Sequence, residues 1–416
     1  MLETAPPAER AADAAARKRF AATIIFGHAL KHVYISALST QLMPEIKAGL
    51  SLTNAQLGTL ASVQQFTGWG STMTSGYLGD RFTNKTAVLL GFSLGIMGVS
   101  YFVLGAAGSY SVLLAAMLFV GLGPSLYHPP ALGALSRRFA DRRALMISLH
   151  GAGGSLGEVT GPLLGAGLLA FLVWRDVLQL SLLPALLGAV LMWTLLRGDG
   201  GKNGDGAASF RAYLSAFRAV LSSRVLLLVC LATGLRSVGQ TTNSTFLPVY
   251  LRDDLGYSAE LRGLFLALAQ VVGIGSQPLM GHLADRFGHK SVLVPSLMAM
   301  ALLLLLVPVA EGKLQLALVI LALGAFLFSL HAILLSAAAD LVSEEMQSTA
   351  VSLIYASSFI GALAPTVAGV LADAEGLKAT FVFSCVMVAL AAVVIFLTNL
   401  PRRPALRLPA GGAGAP

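Results

Sequence analysis

Three side chains that are charged at neutral pH lie inside long apolar stretches of this sequence: Lys31, Glu158 and Arg236. A charge in the middle of a bilayer costs at least a few kcal/mol, so each is a candidate for function if its segment spans a membrane. Two cations in surroundings of low dielectric constant need a negative partner. We therefore predict that Lys31 and Arg236 bind an anion, that Glu158 compensates their charge inside the protein, or that each holds at a different step of the cycle.

Histidines and amides accompany these charges. His28, Lys31 and His32 occupy positions i, i+3 and i+4, which share one helix face. Histidine changes its charge near neutral pH, and a carboxylate in apolar surroundings can hold a proton. Glu158 is the first candidate for binding and releasing a proton, followed by His150 and His32, although a lone membrane histidine is more often a satisfied hydrogen-bonding residue. The predicted ligand-binding residues are Lys31, Arg236, His28, His32, Gln240 and Asn243.

The segments that carry these residues are too apolar for a water-soluble protein. Hydrophobic residues make up 56% of the 416 residues and charged residues 12%, whereas a soluble domain has about 25% charged residues. A membrane-spanning helix needs about 20 mainly apolar residues. We therefore predict an all-α membrane protein with twelve transmembrane helices. They cover residues 20–44, 55–79, 87–107, 110–135, 145–172, 175–197, 223–250, 260–283, 291–309, 314–339, 347–371 and 377–399.

A polar, Gly-rich tract divides the twelve runs into two sets of six. It lies in a predicted cytoplasmic linker, 198–222, between an N-terminal half, 20–197, and a C-terminal half, 223–399. Residues 1–19 and 400–416 are predicted to be cytoplasmic tails, the first of them poorly ordered. With both termini inside, the inner segments hold twenty Lys and Arg residues and the outer segments six, as the positive-inside rule requires. The formal charge of +8 therefore indicates membrane topology and not nucleic-acid binding.

One loop sequence occurs at matching positions in the two halves. GYLGDRFTNK ends at residue 85 and GHLADRFGHK at residue 290, and their aspartates are 205 residues apart, as are Lys31 and Arg236. Duplicated halves are how alternating-access carriers are built. Both loops resemble the signature of the major facilitator superfamily, and the resemblance spans all twelve runs. The alternative is that the charges of these loops only set the membrane topology. The resemblance implies a gating role for Gly76, Asp80, Arg81, Lys85, Gly281, Asp285, Arg286 and Lys290.

A glycine stripe runs along the fifth apolar run. Gly157, Gly161 and Gly165 recur at intervals of four residues, and Pro162 interrupts them. Glycines at this spacing let two membrane helices approach closely, and proline permits a kink. The segment resembles the antiporter motif of the superfamily, which implies a helix pair that seals the binding site during turnover. Ordinary tight packing is the alternative.

Further segments narrow the resemblance to the fosmidomycin-resistance branch of the superfamily. They are His28 with Tyr34, residues 127–129, residues 150–157 and residues 235–248. Members of this branch are efflux carriers or carriers of unknown substrate, so the resemblance implies transport without fixing the substrate. The sequence Lys31-His32 departs from the acidic or amide residue expected near this position.

These observations together give a functional expectation. The sequence has no nucleotide-binding loop and no cysteine spacing for a metal or a disulfide. We therefore expect no enzyme activity, no cofactor, no metal and an ion gradient as the energy source. The first expectation is proton-coupled export, by antiport and alternating access, of a small anionic or amphiphilic molecule. The alternatives are proton-coupled uptake of a small organic anion and, from another class, a non-transporting membrane receptor or assembly partner. The expected partners are the substrate, protons and the lipid bilayer, with a monomeric chain in the bacterial inner membrane and both termini in the cytoplasm.

Overall fold

Helices make up nearly all of the computed structural model, which describes residues 7–197, 223–341 and 353–400. These ranges contain no strand, so the predicted all-α class is confirmed for them. The helices are α1 (Pro7–Ala37), α2 (Met43–Gly49), α3 (Asn54–Arg81), α4 (Thr86–Ala106), α5 (Tyr110–Ser125), α6 (His128–Arg138), α7 (Arg143–Leu169), α8 (Trp174–Leu180), α9 (Leu182–Leu196), α10 (Arg224–Asp253), α11 (Ala259–Phe287), α12 (His289–Leu306), α13 (Lys313–Ala339), α14 (Ala364–Glu375) and α15 (Lys378–Leu397).

Ten helical segments of the described chain are long and apolar enough to cross a membrane. Two further long helices, α3 and α7, coincide with predicted spans but are less apolar than the other ten. Polar residues explain the difference, because α3 carries Gln64 and Gln65 and α7 carries His150 and Glu158. The count of twelve spans therefore stays a prediction, with ten of them supported by length and composition.

The first helix starts earlier than the sequence suggested. Residues 7–19, predicted to be poorly ordered, are helical and continuous with the first apolar run. The prediction was wrong because this stretch is rich in alanine, the residue with the highest helix propensity. Arg17 also holds this helix to the loop after α6, through a hydrogen bond of 2.5 Å to Asp141. That bond keeps the pKa of the Asp141 carboxyl below its ordinary value. The predicted linker and the C-terminal tail from residue 401 lie outside the described residues.

Two helix interruptions lie beside the polar residues of the N-terminal half. A π-helical turn, Leu38–Leu42, separates α1 from α2, and such turns are frequent at functional sites. The fourth apolar run is broken between α5 and α6, where three prolines surround the break. Proline lacks the N–H that would continue the helical hydrogen bonds, although it fits the first turn of a helix. The break leaves His128 at the first position of α6.

The described chain forms two compact units. The first consists of Met1–Ala208, Asn243–Leu268 and Ala362–Thr380, and the second of Ser209–Thr242, Ala269–Gly361 and Phe381–Pro416. These boundaries differ from 20–197 and 223–399, because parts of α10, α11 and α14 pack with the first unit. The division into two six-helix halves remains a prediction.

Glycines of α7 form the seam along which this helix packs against α1. A Cβ atom on Gly157 would overlap the carbonyl oxygen of Ala29, and one on Gly161 would come within 2.7 Å of the carbonyl oxygen of Val33. At Gly165 the nearest atom would be a side-chain carbon of Gln41, at 3.1 Å. The stripe therefore brings the two backbones close together and sets the rotation of α7 against α1.

Candidate functional site

Four histidines of the first unit interact electrostatically with Lys31 and lie close to one another. His28 and His32 lie on α1, His128 begins α6 and His150 lies on α7. The imidazole rings of His28 and His150 are stacked, with centroids 3.7 Å apart. The rings of His32 and His128 each lie 4.6 Å from the ring of His28. His28, His150 and Lys31 are 3%, 2% and 2% exposed, whereas His32 and His128 are half-buried.

Hydrogen bonds connect this cluster in series. His28 donates from Nδ1 to the backbone carbonyl of His150, at 2.7 Å. The Nε2 atoms of His28 and His32 are 3.1 Å apart, and Nδ1 of His32 lies 2.5 Å from Oε1 of Glu158. The Nε2 atom of His128 lies 3.5 Å from that of His28. This arrangement can hold a proton between a carboxylate and an imidazole and pass it to neighbouring imidazoles.

Lys31 makes no ion pair and no hydrogen bond with any residue that the structure describes. Glu158 attracts the Lys31 ammonium electrostatically, but the ion pair formed by this carboxylate is with His32. The sequence left open whether Lys31 binds an anion or is compensated by Glu158. Both alternatives stay predictions, because the ammonium lacks a close partner that would exclude an external anion and the Glu158 carboxylate acts on it electrostatically.

Arg236 is the corresponding cation of the second unit. It is 1% exposed and donates from Nη2 to the backbone carbonyl of Leu327, at 2.5 Å. Its Nε atom has no hydrogen-bond partner, and the described residues give its guanidinium no carboxylate. His331, on the neighbouring α13, interacts with it electrostatically. Lys31 and Arg236 belong to different units, so anion binding by the two cations remains a prediction.

The two predicted amide ligands lie further along α10. Gln240 is half-buried and donates to the carbonyl of Leu327 that also accepts from Arg236, at 3.3 Å. Asn243 is 2% exposed, and its side-chain carbonyl oxygen has no hydrogen-bond partner. Gln240 is thus next to Arg236 through a shared acceptor, and Asn243 has an unused acceptor for a ligand.

The structure describes the side chains of the second repeated loop more completely than those of the first. Gly76, Asp80 and Arg81 lie in the last turns of α3, but their side chains are outside the described part of the structure. In the second copy, Lys290 donates to the backbone carbonyl of Thr398 at 3.0 Å. The other residues of the two copies are Lys85, Asp285 and Arg286, which are exposed, and Gly281, which is half-buried.

The sequence analysis missed an ion-pair network around Glu45. Arg252 donates to this carboxylate from Nε at 2.9 Å and from Nη2 at 3.1 Å, and Arg262 donates from Nη2 at 2.8 Å. Arg262 is 2% exposed and also donates to the side chain of Gln41, at 3.4 Å. The sequence analysis counted Arg252 and Arg262 only as loop charges, and nothing in their spacing indicated that they meet Glu45.

A second missed contact joins α14 to the start of α3. The carboxylate of Asp373 accepts hydrogen bonds from the backbone N–H groups of Asn54, at 2.8 Å, and Ala55, at 2.9 Å. A carboxylate is favourable at a helix N-terminus, where N–H groups lack partners. Both this contact and the Glu45 network therefore connect segments from opposite halves of the sequence within the first unit.

Three of the histidines have a geometry that could hold a metal ion. One ligand nitrogen each of His28, His32 and His128 lie within 4.8 Å of one another. The hydrogen bonds that orient His28 and His32 through Nδ1 are also of the kind found behind metal ligands. The buried ammonium of Lys31 acts against a metal, because a divalent cation beside it would add like charge in surroundings of low dielectric constant. The prediction of a metal-free site is untested.

Known proteins of one transporter family resemble this chain over most of its length. The profile of the Major Facilitator Superfamily matches residues 24–277 and 229–416. The fosmidomycin resistance protein of Escherichia coli is 24% identical over 407 residues, covering 96% of this chain and 98% of that protein. The MFS-type transporter YfnC of Bacillus subtilis is 25% identical over 366 residues, covering 84% and 85%.

A solved structure supports the fold. A bacterial homologue of the human lysosomal transporter Spinster, in an inward-facing and unoccupied conformation, matches with a TM-score of 0.75 and 18% identity. The match covers 92% of this chain and 97% of the homologue. At this level of identity the likeness shows a shared fold, and the polar cluster has to be interpreted from its own geometry.

Proposed function

Because this chain belongs to the major facilitator superfamily, a family of secondary transporters and not of enzymes, we propose that it couples the movement of a small anion to protons. The chain is a multi-pass membrane protein that moves a small molecule across a lipid bilayer. The inner membrane of a bacterium, cytoplasmic termini and a monomeric state belong to the proposal. Alternating access around a site near the middle of the membrane is the proposed mechanism.

The observation that carries this proposal is the buried guanidinium of Arg236. A charge taken out of water is strongly destabilising unless a partner compensates it, and the described residues supply no carboxylate to Arg236. Its fixed fork of donors fits the two oxygens of a carboxylate, phosphonate or sulfonate. Lys31 is the proposed second cation, and His28, His32, Gln240 and Asn243 are the proposed polar ligands.

We propose that the histidine cluster of the first unit binds and releases the coupled proton. Glu158 is the carboxylate of the histidine cluster and shares a hydrogen bond with His32. His150 is proposed as a further proton site, because both of its ring nitrogens are buried without a hydrogen-bond partner. The repeated loops around Asp80 and Asp285 are proposed to gate the cytoplasmic side.

Two directions of transport are compatible with this site. Export in exchange for protons is supported by the name of the fosmidomycin resistance protein, because fosmidomycin is a phosphonate and resistance is consistent with efflux. Uptake of an organic anion together with protons is the second candidate. The observation that favours it is that Glu158 pairs with His32 and leaves Lys31 available.

Transport into membrane vesicles under an imposed proton gradient tests the function and its direction. The panel consists of small carboxylates, sulfonates and phosphonates, with neutral drugs for comparison. Export by exchange predicts that an acidic lumen drives anion accumulation in inside-out vesicles. Uptake with protons predicts accumulation in right-side-out vesicles with an acidic exterior.

A pair of arginine variants tests whether transport depends on the proposed anion-binding site. Arg236→Gln should abolish accumulation of the anion. Arg197→Gln, which removes an exposed arginine, should leave it unchanged. If neither vesicle orientation accumulates an anion, the chain is not a proton-coupled anion carrier.

A further inference from the structure

We propose that the histidine cluster binds a proton and an anion together, so that each increases the affinity for the other. The inference rests on the proposed function, since it assumes that the chain carries an anion. It states whether the anion and the proton bind together or compete, which neither the family nor the relatives show. Joint binding favours transport of the anion with a proton over exchange of one for the other.

The proton content of the cluster follows from its hydrogen bonds. Three bonds run in series from the carbonyl of His150 through His28 and His32 to Glu158. Each bond needs one hydrogen, and a carbonyl oxygen can only accept. Two neutral imidazoles and a carboxylate together carry two such hydrogens. The series therefore contains one additional proton, whichever of His28, His32 and Glu158 holds it.

The additional proton makes the series electrically neutral. Two neutral imidazoles and a carboxylate carry one negative charge, which the proton cancels. Lys31, 2% exposed and without a hydrogen bond to any described residue, then keeps a positive charge that the cluster does not balance. In this protonated state the cluster attracts an anion.

Loss of the proton has the opposite effect. The series then carries one negative charge close to the Lys31 ammonium, which it already attracts electrostatically. The cluster becomes neutral as a whole, and an anion entering it would meet the charge of Glu158. The anion and the proton therefore support each other's binding. Besides its own members His28, His32 and Glu158, the titratable groups that face this series are Lys31 on α1, Tyr127 and His128 at the start of α6, and the ring of His150 on α7.

Joint binding also gives a physical reason for the arrangement of α1. Lys31 and His32 are adjacent in sequence, so the anion-binding cation and the proton-binding pair move with one helix. A change in the rotation of α1 against the glycine seam of α7 would separate His32 from Glu158 and release the proton. The seam contacts His32 directly, because a Cβ atom on Gly157 would lie 2.7 Å from Cβ of His32.

Anion binding to the purified full-length chain tests the inference without measuring transport. Methanesulfonate and benzoate are suitable probes, because neither takes up a proton between about pH 6 and about pH 9. Calorimetry in two buffers of different ionisation enthalpy counts the protons exchanged per bound anion. We expect proton uptake, and an affinity that falls on the order of tenfold with rising pH, the usual size of coupling between two sites.

Variants separate this linkage from a structural role. Glu158→Gln replaces the proton-binding carboxylate by a neutral amide of the same shape, so anion affinity should become independent of pH and equal to that of the unmodified chain at acid pH. Lys31→Gln should remove anion binding at every pH. Glu311→Gln, the same change at an exposed position, should behave like the unmodified chain.

The possible failures are distinguishable. Proton release on anion binding, or an affinity that does not change with pH, would overturn joint binding and leave an anion carrier that works by exchange. Loss of anion binding in Glu158→Gln at all pH values, with a normal melting temperature, would also overturn it. If no probe binds at any pH, the proposed anion-carrier function fails and the inference fails with it.

Discussion

Buried cations without carboxylate partners are the most informative residues of this chain. A cation kept for structure is normally paired, because removing it from water destabilises the fold. Arg236 instead has one backbone acceptor and an unpartnered Nε atom among the described residues. Its unfavourable burial is explained if an external anion completes its coordination during the transport cycle.

Replacing Arg236 should therefore separate stability from binding. In Arg236→Met the buried charge is gone, so we expect the melting temperature of the purified chain to stay the same or rise, as when buried charges are replaced by apolar side chains. Anion binding should weaken at least about tenfold, because charge-assisted hydrogen bonds worth about 1.5–3 kcal/mol are lost. Differential scanning fluorimetry and calorimetric titration measure the two effects. A large drop in melting temperature would instead show that Arg236 has a structural role.

Sequence spacing predicted some relations between residues and missed others. It placed His28, Lys31 and His32 on one helix face because the helical repeat fixes neighbours within a helix. It did not predict that the close ion pair of Glu158 is with His32 and not with Lys31. That choice depends on how α7 is rotated against α1, and the rotation is set by backbone contacts between two helices.

At the scale of the helices, the seam between α1 and α7 positions the histidine cluster. Glycines allow close approach along the seam, and His32 and Glu158 meet across it. The apolar runs predicted the helices themselves, since about 20 apolar residues in succession have few other stable structures in a bilayer. The breaks at Leu38–Leu42 and before His128 were not predicted, because both lie inside continuous apolar runs.

A methyl group in the seam should disturb both stability and binding. In Gly157→Ala the new Cβ would overlap the carbonyl oxygen of Ala29, and overpacking of this kind costs about 1–3 kcal/mol. Gly167→Ala, on the same helix with no atom within 4 Å of its Cβ, is the matched control and should be tolerated. Thermal unfolding of the detergent-purified variants measures the difference. Equal melting temperatures for both variants would contradict a tight seam.

At the scale of the whole molecule, the ion pairs around Glu45 connect segments that are distant in sequence. Arg252 and Arg262 come from the second half of the sequence and Glu45 from the first, yet all three lie in one compact unit. Asp373 makes a similar connection at the start of α3. If the proposed alternating access breaks and remakes such contacts in each cycle, the Glu45 network is a candidate for a gate, which a variant can test.

Removing the charge of Glu45 should open the part of the first unit in which Glu45, Arg252 and Arg262 meet. In Glu45→Gln the buried guanidinium of Arg262 loses its carboxylate, and an uncompensated buried charge favours the conformation in which water reaches it. A cysteine at Ile46, which is 0% exposed, reports the opening in a background where Cys230 and Cys385 are serine. We expect a hydrophilic maleimide to label this cysteine faster in Glu45→Gln than in the matched variant Glu311→Gln, with detergent-purified protein. If Glu45→Gln lowers the melting temperature but leaves the labelling rate unchanged, the network holds the fold together and does not gate the transport path.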